Sequence, residues 1–278
     1  MLSTNKEDHV LSLIVTVCTS EGLIMASDSR STYSKTELRG GKSVVNFGVH
    51  YTDTTYKTFL CDNRIGISTC GDATICGKSI AGHIENYMNN IYDKDDTIEA
   101  TSHKLLKYFT ELSEKSDITF HVAGYKKDND KDVAEVYAVL TALRQVKLLR
   151  TGVCGANWDG ERATLTRLVK NSYVVPEENA IPIGTITLNR KNEDGTENST
   201  ILMNQIAIPG GSLRQPELEV AWELMTLQDG IDFASYAIKT TIDTMRFQTA
   251  PKTVGGPIDI LVIKPNGAQW IQRKELHA

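Results

Sequence analysis

Residues 22–32 read Gly22-Leu-Ile-Met-Ala-Ser-Asp28-Ser-Arg30-Ser-Thr32. A glycine turn leads into a short apolar strand, and the strand ends in a polar run headed by Asp28. A carboxylate at the end of a buried strand is costly unless paired, so a cation is expected beside it: Arg30, or a lysine from another strand. The plainer reading has Asp28 and Arg30 pairing to hold a turn, because structural ion pairs outnumber catalytic ones. Two spacings point further. Ser12 lies sixteen residues before Asp28, within Leu11-Ser-Leu-Ile-Val-Thr-Val-Cys18. Lys57 opens another strand, and Gly71 follows fourteen residues after it.

This constellation resembles the proteasome β-subunit family of N-terminal-nucleophile (Ntn) hydrolases, in its bacterial proteasome-like branch. Members begin at a catalytic Thr and carry Gly-x-x-x-Ala-x-Asp-x-Arg-x-Thr, its Asp at the interval that separates Asp28 from Ser12 here. They then supply a Lys and a glycine turn. The motif stands as Gly22, Ala26, Asp28, Arg30 and Thr32; the lysine matches Lys57 in Tyr-Lys-Thr-Phe-Leu, and the glycine Gly71 in Ser-Thr-Cys-Gly-Asp-Ala. The Lys-to-Gly interval equals the family's, and the Asp-to-Lys interval is longer by an insertion. Val254-Gly-Gly-Pro-Ile-Asp259 resembles the family's closing Ser-Gly-Gly-x-Ile/Val-Asp, so the likeness runs from residue 11 to about 272, apart from two excursions.

The resemblance implies an α+β fold, a four-layer αββα sandwich with two antiparallel sheets. It spans 1–278 as one domain, with excursions at about 33–56 and 172–216. It implies a self-compartmentalising peptidase with Ser12 as nucleophile, freed by removal of residues 1–11 so that its own α-amine serves as base. Lys57 would keep that amine neutral by like-charge repulsion, and Asp28 would orient Lys57 and keep it charged. The Gly71 N–H would donate to the oxyanion, and Arg30 and Thr32 would shape the substrate channel. No cofactor and no metal are called for. The implied partners are a peptide or unfolded-protein substrate, copies of the chain in a homo-oligomeric ring, and an ATP-dependent unfoldase. Four departures stand against this. Ser12 replaces Thr, and Leu11 replaces the Gly before the cut. Val153 or Cys154 falls where the family's Gly-Ser-Gly turn supports the nucleophile, and Pro251 and Val254 replace an Asp and a Ser before the glycine pair. They keep open a catalytically inactive proteasome-like scaffold subunit, in which Ser12 is merely a small strand residue.

Composition narrows the other classes. Apolar content of 40%, charge of 23% and a net charge of −5 are those of a globular chain without an electrostatic footprint for nucleic acid. No apolar run approaches the ~20 residues needed to span a bilayer. The polar stretch Met1–His9 carries no signal-peptide core. The odd count of five cysteines, Cys18, Cys61, Cys70, Cys76 and Cys154, suggests reduced thiols and a cytoplasmic protein.

Period-two and apolar runs predict strands at 11–18, 22–27, 57–61, 64–69, 118–125, 134–142 and 144–149. Helical spacing predicts Asp72–Ile91, a helix capped by Asp96-Thr97, Trp158–Lys170, and a last helix opened by the capping box Thr226-Leu-Gln-Asp229. Val254–Ile263 reads as a glycine turn entering a buried strand, and Pro265-Asn-Gly267 turns the chain back. Three sequence likenesses fail, one on residue identity and two on spacing. Asp128–Val139 lacks the Gly and Glu of a calcium loop. Gly71–Ser79 has one residue too many between its glycines for a phosphate loop, and Gly77–Gly82 does not fit a nucleophile elbow.

Overall fold

Leu13–Cys18 (β1) and Leu23–Ser27 (β2) are buried along their whole length, as expected of apolar strands covered on both faces. They sit inside a computed structural model that describes residues 12–39, 42–169, 182–191, 197–206 and 220–277. Only the backbone is described in 34–39, 42–47, 49, 182–191 and 197–206. Past the motif, Ser31–Arg39 (β3) and Lys42–Thr52 (β4) make an antiparallel hairpin. Thr58–Cys61 (β5) and Ile65–Gly71 (β6) make another, followed by the short pair Thr74–Ile75 (β7) and Lys78–Ser79 (β8). Helices Ile80–Asn90 (α1) and Ile98–Leu112 (α2) lead to Ile118–Asp128 (β9), Lys131–Leu140 (β10), Gln145–Thr151 (β11) and Gly155–Gly160 (β12). Then come Ala163–Val169 (α3), the hairpin Pro182–Lys191 (β13) with Glu197–Ile206 (β14), and Leu227–Met245 (α4). Asp259–Lys264 (β15) and Gly267–Gln272 (β16) close the order.

Two five-stranded antiparallel sheets result, ordered β12-β1-β2-β15-β16 and β11-β10-β9-β6-β5. Helix α4 packs on β1 and β2, and α2 on β9, β10 and β11. The remaining faces of the sheets meet, with β1, β2 and β15 against β5 and β6. They approach so closely at Gly66 that a Cβ there would lie 2.3 Å from the Met25 sulfur. Ile67, Ile84, Tyr87, Ile98, Leu105, Phe109 and Phe120 fill the space between the second sheet and α1 and α2. The Phe109–Phe120 rings lie 4.7 Å apart, a contact worth about 0.5–1.5 kcal/mol beyond its buried area. The chain divides into two compact units, 1–165 with 221–278, and 166–220. The second covers the excursion expected at about 172–216, and its described part is the β13–β14 hairpin with the end of α3 (166–169) and Val220. Among the described residues no helix is long and apolar enough to cross a membrane.

Two expected helices are revised. Asp72–Ile91 is helical only from Ile80, because Cys76 (φ +49°) and Gly77 (φ +76°) fold the preceding residues into the β7–β8 turn. Ser79 then caps α1 by accepting from the Gly82 amide. In place of the start of the helix expected over Trp158–Lys170, Gly155–Gly160 pairs antiparallel with β1, Trp158 opposite Val15, and α3 begins at Ala163. Both stretches lack a continuous apolar stripe, so pairing with a neighbour decides them. The capping box at Thr226 and Asp229 forms as expected, with both reciprocal hydrogen bonds present.

Candidate active site

Asp28 stands just past the end of β2, fully buried, and four donors converge on it. Oδ1 accepts from the Leu13 amide at 3.0 Å and from Lys57 Nζ at 2.8 Å. Oδ2 accepts from the Arg30 and Gly255 amides, each at 3.0 Å. All the acceptor positions of an ionised carboxylate are thereby used. Lys57 is buried just before β5 and donates also to the Arg30 carbonyl. Two of its three N–H groups are thus engaged among the described residues, and one remains. The cation beside Asp28 is therefore the lysine.

Arg30 does not pair with Asp28 through its side chain. Its guanidinium makes a bidentate contact with Asp53, at 2.7 Å from both Nε and Nη2, and lies over the Tyr51 ring. The Asp53 hydrogen bonds raise its pKa above the ordinary arginine value. Arg30 thus serves Asp28 and Lys57 through its backbone. The Thr32 hydroxyl is buried without a hydrogen-bond partner among the described residues.

Ser12, Lys57 and Gly71 line one small cavity of about 20 Å3, together with Ser31, Thr55, Tyr56, Thr69, Cys70 and Ala73. That is room for a water molecule and little else. Arg30 and Thr32 are outside its lining. The cavity draws on both sheets: Ser12 immediately precedes β1 of the first, while Lys57 precedes β5 and Gly71 ends β6 of the second. Gly71 has φ +111°, and a Cβ there would lie 2.2 Å from the Asp117 carbonyl, so no other residue fits. Burial pushes the adjacent Cys70 thiol far up, leaving it inert. A larger open depression of about 630 Å3, lined by residues such as Met88, Tyr92 and Lys104, contains none of these groups.

Ser12 is held from its other side by a segment the sequence did not flag. Its carbonyl accepts from the Glu161 amide at 2.7 Å. The register of β12 sets Gly160 opposite Leu13 and Gly155 opposite Cys18. Val153 and Cys154 therefore lie at the far end of β1, and the stretch beside Ser12 is Asp159-Gly160-Glu161. A second buried ion pair lies near: Lys274 Nζ contacts Asp259, and the Tyr56 hydroxyl donates to the Lys274 carbonyl at 3.1 Å. Burial lowers the Lys274 pKa, and the nearby Lys57 lowers it further, against the pull of Asp259. All five cysteines are free thiols.

These features define an α+β protein of two facing antiparallel sheets with a lysine–carboxylate pair buried where they meet. No family model and no curated protein sequence matches the chain. Its fold is similar to that of Anbu, a bacterial proteasome-like protein, solved as a Gly-1 mutant from Hyphomicrobium sp. strain MC1. The TM-score is 0.53 at 11% identity, over 95% of this chain and 86% of that one. At that identity the likeness is one of fold alone.

Proposed function

We propose that this chain is a proteasome-like peptidase subunit built as a four-layer αββα sandwich, with Ser12 as its nucleophile. The observation that carries the reading is the buried Lys57–Asp28 pair, whose lysine lines the same small cavity as Ser12 and Gly71. A buried ion pair is weak evidence for stability, so its retention at a cavity with a hydroxyl and a positive-φ glycine favours chemistry.

In the intact chain the Ser12 nitrogen is an amide and cannot act as a base, and Lys57 donates to Asp28. Hydrolysis of the Leu11–Ser12 bond, releasing residues 1–11, creates an amine. That amine then takes the Ser12 Oγ proton as Oγ attacks a peptide carbonyl, and passes it to the leaving amine. Water hydrolyses the resulting acyl-enzyme ester and restores Ser12. The Lys57 ammonium keeps the amine neutral, and the Gly71 N–H meets the oxyanion, a contribution of about 3 kcal/mol for a well-aimed donor. Arg30 and Thr32 shape the approach of an extended peptide. Copies of the chain form a ring in the cytoplasm, fed with unfolded protein by an ATP-dependent unfoldase.

One observation favours the scaffold reading: a cavity of about 20 Å3 admits no peptide side chain. Intact mass of the purified protein, with turnover of fluorogenic peptides by wild type and Ser12→Ala, separates the two. Loss of residues 1–11 together with activity abolished by Ser12→Ala supports the peptidase. Active protein with an intact Met1 terminus, or equal turnover by Ser12→Ala, overturns it.

A further inference from the structure

The interior between the sheets holds a polar bridge that the chemistry above leaves unused. His121, on β9 of the second sheet, is fully buried. Its Nδ1 lies 2.9 Å from Thr16 Oγ1 on β1, and its Nε2 lies 3.0 Å from Asp159 Oδ2 on β12. A carboxylate only accepts, so Nε2 carries the proton toward Asp159, and in the neutral ring the Thr16 hydroxyl donates to Nδ1. The set has the composition of a Thr-His-Asp triad. Thr16 is wholly buried, however, and lines no described cavity, so it has no access to a substrate.

The position of the bridge gives it another use. Asp159 immediately precedes Gly160 and Glu161, and the Glu161 amide holds the Ser12 carbonyl. Gly160 makes this approach possible, since at φ +102° a Cβ there would lie 2.1 Å from that carbonyl oxygen. Ser12 immediately precedes β1, and Thr16 lies on that strand four residues further on. His121 thus grips both strands flanking Ser12, β1 and β12. On the second sheet it is paired through β9 with Ser68 of β6, the strand that ends at Gly71. Arg162 also faces Asp159, but at 3.6 Å from an exposed side chain, and screening makes that anchor weak.

We propose that His121 is a positioning residue that sets the spacing between the two halves of the site, Ser12 on one sheet and Lys57 with Gly71 on the other. Its place in catalysis rests on the peptidase reading; its grip on the Ser12 clamp does not.

The test compares His121→Leu, which removes both hydrogen bonds, with His121→Gln, whose amide can still donate to Asp159. Thr16→Val serves as a second, milder variant. Amide exchange is followed at Glu161, with Gly255 as the internal control. Exchange at Glu161 is expected to quicken about tenfold in His121→Leu and to stay near wild type in His121→Gln, with Gly255 unchanged. Peptide turnover is expected to fall in kcat at constant KM in the leucine variant and to be rescued by glutamine. Unchanged Glu161 exchange in a folded His121→Leu overturns the proposal. Should that variant not fold, unchanged exchange in Thr16→Val does so. An inactive wild type sinks the peptidase reading and leaves the exchange result to decide the grip.

Discussion

Replacing Asp28 by Asn preserves shape and removes charge, which makes it a sharp probe of the cradle around this residue. Each carboxylate oxygen receives two donors: Leu13 N–H and Lys57 Nζ on Oδ1, Arg30 N–H and Gly255 N–H on Oδ2. An amide offers one acceptor oxygen and one NH2. Whichever way it is flipped, the NH2 faces two donors. Each donor left unsatisfied in the interior costs about 1–3 kcal/mol. Removing one partner of a buried ion pair costs about 3–5 kcal/mol, and the two accounts overlap rather than add. The expected loss for Asp28→Asn is therefore about 3–5 kcal/mol, a fall in Tm on the order of 10 °C for a chain of this size. Lys57→Met is expected to cost a similar amount. The double variant leaves no unpaired charge and removes one of the two donors at Oδ1, so it should fall short of the sum by about 2 kcal/mol or more. Urea unfolding of the four proteins, read by circular dichroism, measures this cycle. An Asp28→Asn protein within about 1 kcal/mol of wild type, or strictly additive singles, would refute the four-donor account.

Gly160→Ala forces a Cβ toward the Ser12 carbonyl at a positive φ; strain of that kind costs about 1–3 kcal/mol before the overlap is counted, so a neutral substitution in thermal unfolding would contradict the clamp. Thiol labelling of the native protein is expected to modify exposed Cys76 first and half-buried Cys154 slowly, with burial holding Cys18 and Cys61 at about 12 and all three buried thiols protected until unfolding. Lys274 has a folded pKa lowered below 10.5, so the unfolded chain holds its proton more tightly. Stability is therefore gained as pH rises through the folded pKa toward 10.5, and Lys274→Met should remove that gain; equal alkaline slopes for the two proteins would count against a buried ammonium.

How far these features could be read beforehand depended on the kind of signal each carries. The runs at Leu13–Cys18 and Leu23–Ser27 declare themselves because strands covered on both faces must be apolar throughout. The caps at Thr97 and Thr226 are local chemistry and were legible for that reason. Lys57 emerged from fixed spacing in the motif, not from its own neighbourhood, which is an ordinary Tyr-Lys-Thr. Gly155-Ala-Asn-Trp-Asp-Gly160 has neither alternation nor a stripe; it is a strand only because β1 offers it hydrogen bonds. The partner of Arg30 was hidden for a related reason, since Asp53 reaches it across the β3–β4 hairpin. His121 and Asp159 are 38 positions apart and meet through sheet packing, a relation no local pattern encodes.

The cradle of Asp28 also bears on the order in which the molecule can be made. Its donors come from Leu13, Arg30, Lys57 and Gly255, the last of them 227 positions from the carboxylate. A chain emerging from the ribosome can form β1, β2 and β5 long before residue 255 exists. Until then the carboxylate lacks one of its amides, and β2 lacks β15, its neighbour in the sheet. The four-donor cradle is thereby completed only in a chain whose synthesis has passed Gly255, and the first sheet only in one that has passed β15.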